Sequence, residues 1–154
     1  MKTIRLKLPV EYSESPKVIA LGNFDGLHRG HKILIDKVMD IGFEKKLTTS
    51  MLTFSINPRK LFNKDRFCEL TSLDDRRKIV ENIGLDEFYE LEFDKEMIEL
   101  SPLDFVKKIL IPLNVKHVVC GFDYTFGYKG MGKVQDLITL GKGLFDVEVI
   151  PSFN

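Results

Sequence analysis

Apolar and polar positions follow a repeating order along the chain, in which a compact apolar run precedes a stretch with helical spacing. Residues 17–21 form the first such run and end at Gly22, and residues 32–41 predict a helix that ends at Gly42. Further strands are predicted over residues 47–55, 88–93, 117–121 and 146–150. Further helices are predicted from a capping-box-like start at Ser72 to Gly84, from Ser101-Pro102 to Pro112, and over residues 134–140.

This alternation predicts an α/β fold in which a mostly parallel sheet carries helices on both faces. Residues 117–121 are apolar almost throughout, so we expect that strand to be buried on both faces. Ligands of such sheets bind beyond the carboxyl ends of the strands. The loops after Leu21, Ser55, Phe93 and Gly121 are therefore the candidate binding loops.

Composition narrows the class of protein. The 154 residues contain 44% hydrophobic side chains and no repeat or linker, so we expect a single domain over residues 1–154. Lys and Arg number 23, as do Asp and Glu, and this zero net charge argues against nucleic acid or an anionic membrane as a partner. No apolar run approaches the roughly 18 residues of a membrane helix, and the first residues do not resemble a signal peptide. Two cysteines, Cys68 and Cys120, indicate a reducing cytoplasm.

The loop over residues 22–31 carries most of the candidate chemistry. Its glycines allow a tight turn and a close approach of the backbone to a ligand. A helix that begins near Arg29 or Gly30 would direct free N–H groups and its positive dipole end at that ligand, which favours a phosphate. His28 and His31 are spaced to project from the same turn and to donate hydrogen bonds to the phosphate oxygens.

Two other interpretations of this loop stay open. Gly and Asp are common in ordinary turns, so both histidines are alternatively solvated surface residues. A zinc site is the second alternative, but it needs three or four ligands, and His117, Cys68 and Cys120 are the remaining soft candidates.

The sequence Gly-Asn-Phe-Asp-Gly-Leu-His-Arg-Gly-His of residues 22–31 resembles a family signature. The family is the FMN adenylyltransferase (FAD synthetase) module of bacterial bifunctional riboflavin kinase/FMN adenylyltransferases. The resemblance extends from about Lys17 to Pro151 and includes Leu100-Ser101-Pro102 and the Gly-Phe-Asp-Tyr-Thr-Phe-Gly run of residues 121–127. It implies a Rossmann-like fold of the nucleotidyltransferase type marked by His-x-Gly-His. The implied reaction transfers AMP from ATP to FMN and gives FAD and pyrophosphate.

The resemblance also implies roles for individual residues. His28 and His31 are expected to be catalytic and to hold the ATP phosphates. The other expected ATP-binding residues are Gly22, Asn23, Phe24, Asp25, Gly26, Gly30, Gly121 and Asp123. The expected flavin contacts are Asn57, Pro58, Asp123 and Phe126. We expect Mg²⁺ to accompany ATP, held mainly by phosphate oxygens without a direct protein ligand. Asp25 is expected to cap the helix, with a water-mediated metal contact as the alternative.

The loop after the second predicted strand departs from the family. The family usually has a Pro-His-Pro-like turn here, whereas this chain has Ile56 and Asn57 before Pro58, so the role of Asn57 stays open. A basic cluster follows, which either meets a substrate phosphate or forms a solvated edge. Its members are Arg59, Lys60, Lys64 and Arg66. The run Arg76-Arg77-Lys78 is interpreted as a solvated helix face.

The glycine-rich stretch after Gly121 allows two further interpretations. Residues 127–133 fit a phosphate-binding P-loop as far as Lys133, but Val134 stands where a Ser or Thr hydroxyl is needed, so we expect no true P-loop. Phe122 and Tyr124 alternate with Phe126, either because they continue a strand into the core or because they contact a ligand.

The resembled family carries a second phosphate-binding motif, Ser-Ser/Thr-x-x-Arg, shortly after the strand that here ends at Ile150. Because the sequence ends at Asn154, we expect a nucleotidyltransferase domain that is incomplete at its C-terminus, with no riboflavin kinase domain in this chain. Two alternatives to the main hypothesis remain. One is a degenerate homologue that binds nucleotide or flavin without turnover, and the other is a nucleotidyltransferase for another phosphorylated small molecule.

Overall fold

The computed structural model describes residues 1–22, 29–54, 78, 81–92 and 94–151, and within these the side chains of residues 29–31 and 54 are left aside. A six-stranded sheet forms the centre of the described part. Its strands are β1 (Lys2–Leu6), β2 (Lys17–Leu21), β3 (Thr48–Phe54), β4 (Glu87–Leu91), β5 (Val115–Gly121) and β8 (Asp146–Ile150). Two short strands, β6 (Thr125–Phe126) and β7 (Gly132–Lys133), form a separate antiparallel hairpin.

Every neighbouring pair in the six-stranded sheet is parallel, in the order β1-β4-β3-β2-β5-β8. The predicted parallel sheet is therefore confirmed. Strand β2 lies in the interior of the sheet, where its hydrogen-bonding edges face β3 on one side and β5 on the other. The strand order reverses at this point, because β3 and β4 extend the sheet in one direction whereas β5 and β8 extend it in the other.

Helices cover both faces of the sheet, as predicted. Helix α1 (Arg29–Lys45) packs on one face with Leu34, Ile35 and Val38. The opposite face is covered by α2 (Lys95–Ile98), α3 (Pro102–Phe105) with a π-helical continuation (Val106–Leu110), and α4 (Val134–Leu140). Within the described part of the chain, no helix has the length and apolar character needed to cross a bilayer.

Several predicted boundaries agree with the structure, and others differ, among them the end of α1, the end of β4 at Leu91 and the start of β5 at Val115. The bounds of β2, α4 and β8 match the predicted ranges. Helix α1 does not end at Gly42 but continues to Lys45, followed by Lys46 at φ +59°. Gly42 serves close packing instead, because a Cβ at this position would collide with the side chain of Thr49 in β3.

Three further elements compare with their predictions in different ways. Strand β1 was not predicted, although its residues alternate polar and apolar side chains as an edge strand does. The predicted cap at Ser101 is confirmed, since its Oγ accepts a hydrogen bond from the Asp104 N–H at 3.1 Å. Of the helix predicted from Ser72, residues 78 and 81–83 are helical and Gly84 follows at φ +99°, while its start lies outside the described residues.

A fully buried lysine lies at the amino end of β2. The Nζ of Lys17 donates to the Ser13 Oγ at 2.9 Å and lies 3.3 Å from the Glu87 Oε1. The hydroxyl of Tyr89 donates to the same Glu87 oxygen at 2.7 Å, and the Lys17 Nζ sits 5.4 Å from the centre of the Tyr89 ring. Burial lowers the pKa of Lys17, and Glu87 opposes that shift. The lysine thus links the segment before β2 to β4 across the sheet.

We expect Lys17→Met to destabilise the fold by about 3–5 kcal/mol, because it leaves the Glu87 carboxylate without its buried counter-charge. The free energy of unfolding in urea, followed by circular dichroism, measures the effect. Lys116→Met is the matched control, since Lys116 is an exposed lysine at the bulge where β5 pairs with β2, and its cost should stay within about 0.5 kcal/mol. Equal stabilities of Lys17→Met and Lys116→Met would refute the structural role of the buried pair.

Cys120 lies near the carboxyl end of β5, buried in the core on the face opposite α1. Burial raises the pKa of its thiol to about 11. Cys120 is therefore a core residue and not a reactive one, because a neutral, buried thiol is a poor nucleophile.

We expect the Cys120 thiol to resist a thiol reagent near pH 8 in the folded protein, with Cys68→Ser used to remove the other cysteine. The thiol reacts as the thiolate, so its reaction should accelerate only as the pH approaches the raised pKa. The same variant in concentrated urea is the control and should react at once. Rapid labelling of the folded variant near pH 8 would contradict the assignment.

Candidate functional site

The reversal of strand order places a crevice at the carboxyl ends of β2 and β5, which is where open α/β sheets bind ligands. Leu21 pairs with Cys120, so Gly22 and Gly121 lie side by side at this edge. Neither carries a side chain of its own, which favours a close approach of a ligand to the backbone. We call this region the β2–β5 crevice. The chain leaves it from Gly22 towards α1 and from Gly121 towards Phe122.

Helix α1 begins at Arg29, where the sequence predicted a helix start. The first turn contains Gly30 and His31, and its free N–H groups lie at the carboxyl edge of the sheet. The positive end of the helix dipole favours an anion here. The side chain of His31 is not described, and the other predicted residues of this loop lie outside the described part of the chain. These are Asn23, Phe24, Asp25, Gly26 and His28.

The β5 side of the crevice is a tight turn. The Tyr124 N–H donates to the Gly121 carbonyl at 3.1 Å, and the Phe122 N–H donates to the Ile150 carbonyl at 2.9 Å. The turn folds the Asp123 side chain back, so that its Oδ1 would lie 3.2 Å from a Cβ on Gly121. The structure thus brings together Gly22, Gly121 and Asp123, a set that the sequence analysis predicted for ATP.

The three alternating aromatic residues after Gly121 separate into two environments. Phe126 is 4% exposed and packs on Phe105 at 5.3 Å and on Tyr124 at 6.0 Å between ring centres. Burial raises the pKa of Tyr124, so its hydroxyl stays neutral. Phe122 is 54% exposed. Tyr124 and Phe126 therefore belong to the core, and the predicted flavin contact of Phe126 stays a prediction that this burial does not favour.

The P-loop-like stretch forms the β6–β7 hairpin. Its lysine, Lys133, donates from Nζ to the Gly130 carbonyl at 2.7 Å, within the hairpin itself. Gly127 adopts φ +79°, and a Cβ there would lie 2.9 Å from the Pro102 nitrogen. A Cβ on Gly132 would press on the Phe126 ring. These glycines serve turning and close packing, in agreement with the expectation that no true P-loop forms.

The predicted loop after β3 lies outside the described residues. It includes Asn57 and Pro58, both predicted flavin contacts, and the basic cluster that follows them. Of the run Arg76-Arg77-Lys78, the structure describes Lys78, which is helical and exposed.

Two buried polar residues at the carboxyl edge were not singled out from the sequence. Thr53 and Glu90 pair in register, and both are buried. They follow Met51 and Phe88 on the α1 face of the sheet, where side chains alternate. Because Leu21 pairs with Leu52, Thr53 lies next to Gly22. The sequence carried no clear signal for them, because both strands contain other polar residues.

The zinc alternative rests on His28 and His31, whose side chains lie outside the described part of the structure, as does Cys68. Among the residues that the structure describes, no three His, Cys, Asp or Glu side chains converge on one point. His117 is buried against Val18 near the amino end of β5, away from the crevice. Burial, reinforced by Lys45, lowers its pKa, so the ring is neutral.

Comparisons with known proteins agree on one family. The sequence model described as FAD synthetase matches residues 10–154. A bifunctional riboflavin kinase/FMN adenylyltransferase from Listeria monocytogenes is 40% identical over 155 residues, which cover 97% of this chain and 49% of the relative. The Bacillus subtilis and Escherichia coli K12 proteins of the same description are 34% and 30% identical over 89% and 84% of this chain, and over 45% and 42% of their own lengths. The chain thus spans about half the length of these relatives.

Solved structures show the same fold. A crystal structure of a macrolide-efflux protein from Streptococcus pneumoniae matches with a TM-score of 0.82 and 25% identity, over 98% of this chain and 50% of that one. A pantoate-beta-alanine ligase from Francisella tularensis matches with a TM-score of 0.57 and 13% identity, over 91% of this chain and 60% of that one. The second match concerns the fold alone. With the family model matching nearly the whole sequence, the chain belongs to the FAD synthetase family, a family of nucleotidyltransferases.

Proposed function

We propose that this chain is an FMN adenylyltransferase, which transfers AMP from ATP to FMN and releases pyrophosphate. One observation carries the proposal: the Gly22 to His31 signature connects β2 to α1 at the crevice where the strand order reverses. Membership of the FAD synthetase family supports the same reaction. The description of the matched family, FAD synthetase, refers to this adenylyltransferase reaction.

The reaction needs no covalent enzyme intermediate. The FMN phosphate attacks the α-phosphorus of ATP, and the bond from that phosphorus to the pyrophosphate oxygen breaks. Catalysis therefore depends on aligning two anions and on stabilising charge as pyrophosphate leaves. The free N–H groups of the first turn of α1 supply part of that stabilisation. Gly22 and Gly121 let the phosphates approach the backbone.

His28 and His31 are proposed as the catalytic residues. Each imidazole donates hydrogen bonds to phosphate oxygens, and the charge of the phosphates favours the protonated ring, which donates two. Asn23, Phe24, Asp25, Gly26 and Gly30 are proposed to complete the ATP site, with Asp25 as a helix cap.

Asp123 is proposed to contact ATP and the flavin, because its carboxylate lies over Gly121 at the crevice. A carboxylate there accepts hydrogen bonds from sugar hydroxyl or ring N–H groups. Asn57, Pro58 and Phe126 are the remaining proposed flavin contacts, and they rest on the family resemblance.

The residues fit a divalent cation that arrives with ATP, and Mg²⁺ is the proposed ion. Mg²⁺ prefers oxygen ligands and commonly takes most of them from substrate phosphates and water. Asp123 places a carboxylate beside the crevice, and such an oxygen donor suits this ion better than a soft metal. The cation, when bound, would neutralise charge on the triphosphate.

Composition supports the proposals about the partners of the protein and its cellular compartment. With zero net charge, we propose small-molecule substrates and neither nucleic acid nor membrane as a partner. The sparse cysteines suit a reducing cytoplasm.

We expect His28→Ala and His31→Ala each to lower the turnover of FMN and ATP to FAD by ~10²-fold or more, the scale of a lost transition-state hydrogen bond. Chromatographic detection of FAD measures the rate. Lys32→Ala, at an exposed position of α1 next to His31, is the control and should keep wild-type turnover. Near wild-type FAD formation by His31→Ala would contradict the assignment of His31 as a catalytic residue.

Removal of divalent cations should abolish FAD formation, because the triphosphate charge is then unscreened. The measurement is FAD formation in EDTA and after an excess of Mg²⁺ is returned, which should restore the rate. Full turnover in EDTA would contradict the proposed metal requirement. Binding of FMN without any FAD formation in Mg²⁺ would instead indicate the non-catalytic homologue.

A further inference from the structure

We propose that Phe122 is a specificity-determining residue of the β2–β5 crevice, where its ring stacks on the planar heteroaromatic ring of a substrate. This inference rests on the proposed function, which supplies two such rings, the adenine of ATP and the isoalloxazine of FMN. Both present a flat π-surface, and stacking on an aromatic side chain recognises that surface.

The position of Phe122 in the sheet carries the first part of the argument. Phe122 directly follows Gly121, the last residue of β5, and β5 forms one side of the crevice. Gly22 and Gly121 leave this edge without side-chain bulk, so a large ligand can approach. Phe122 is therefore the first residue beyond this edge on the β5 side, and it is not part of the first turn of α1.

The fixed backbone of Phe122 is the second observation. Its own N–H is bonded to the Ile150 carbonyl, and the turn around it is closed by the bond from the Tyr124 N–H to the Gly121 carbonyl. The ring is therefore attached to a backbone anchored to both β5 and β8. A fixed backbone reduces the entropy that is lost when a ligand stacks on the side chain.

Exposure separates Phe122 from its aromatic neighbours. Tyr124 and Phe126 stack on each other within the core, whereas Phe122 is 54% exposed. Burial stabilises a phenylalanine side chain, so an exposed ring forgoes much of that stabilisation. The neighbouring Asp123 adds a hydrogen-bond acceptor at the rim, and ring stacking beside an acceptor suits a base or flavin that carries N–H groups.

Phe43 provides a matched comparison within the same chain. It is 90% exposed, but it lies in the last turns of α1, close to the amino end of β3 and therefore on the opposite edge of the sheet from the crevice. Both side chains are exposed, but of the two residues only Phe122 lies next to the crevice.

The test compares Phe122→Ala, Phe122→Tyr and Phe43→Ala with the wild type. The KM values for ATP and for FMN are measured separately, together with kcat. Dissociation constants for ATP with Mg²⁺ and for FMN are measured by calorimetry. Phe122→Ala should raise the KM and the dissociation constant of one substrate roughly 5- to 150-fold, the range of one lost stacking contact, with little change in kcat. Phe122→Tyr should retain wild-type values because it keeps the ring, and Phe43→Ala should match the wild type.

The substrate whose binding is weakened identifies the stacked ring. A change confined to ATP assigns adenine, and a change confined to FMN assigns the flavin. Unchanged KM and dissociation constants for both substrates in Phe122→Ala would overturn the proposal. A fall in kcat alone would also overturn it, as would Phe122→Tyr behaving like Phe122→Ala.

Calorimetry distinguishes a failure of the stacking role from a failure of the proposed function. A wild-type chain that binds ATP or FMN but makes no FAD would end the proposed function, and the dissociation constants of the Phe122 variants would still decide the stacking role. A wild-type chain that binds neither substrate would overturn both.

Discussion

The parallel placement of β2 between β3 and β5 is the constraint on which the rest of the structure depends. Because the sheet grows outwards from β2 in both directions, the loops after β2 and β5 diverge at one point and leave a crevice. The same arrangement puts the first turn of α1 at that edge. Gly22 and Gly121 add no side chains of their own at this edge. The two ends of the 22–31 signature, Gly22 and the start of α1, therefore lie at this edge.

The two edges of the sheet are built in opposite ways. At the amino end, Lys17 fills the interior and pairs with Glu87 under Tyr89, which fixes the start of β2. At the carboxyl end, β2 runs into glycine, and polar residues such as Thr53 and Asp123 replace the apolar core. The amino edge of the sheet is thus filled by paired side chains, whereas the carboxyl edge ends in glycine and polar residues. A few residues in the same strands make this difference. The glycines of the β6–β7 hairpin belong to the rigid part, since Gly127 and Gly132 pack against Pro102 and Phe126.

Periodicity in the sequence was enough to predict the parallel sheet, because β2, β5 and β8 carry strong apolar runs and α4 a clear helical pattern. It failed where one residue serves tertiary packing: Gly42 resembles a helix stop, yet it lets α1 approach β3. The places of Gly22 and Gly121 at the ends of β2 and β5 followed from periodicity and topology, whereas Asp123 came from the family resemblance, and the binding roles of all three stay predictions. Alternation alone did not show which of Phe122, Tyr124 and Phe126 would be exposed, since that depends on the turn closed by β8. Thr53 and Glu90 were overlooked because their burial arises from pairing between strands distant in sequence.

The central claim is that the nucleotide binds at the carboxyl ends of β2 and β5. Backbone amide NMR of the labelled protein, titrated with ATP and Mg²⁺, tests it most directly. The account predicts that the largest shift changes fall on Gly22, Gly121 and Asp123, while Lys17 and His117 at the amino edge change little. Changes concentrated at the amino edge, or spread evenly over the sheet, would contradict it.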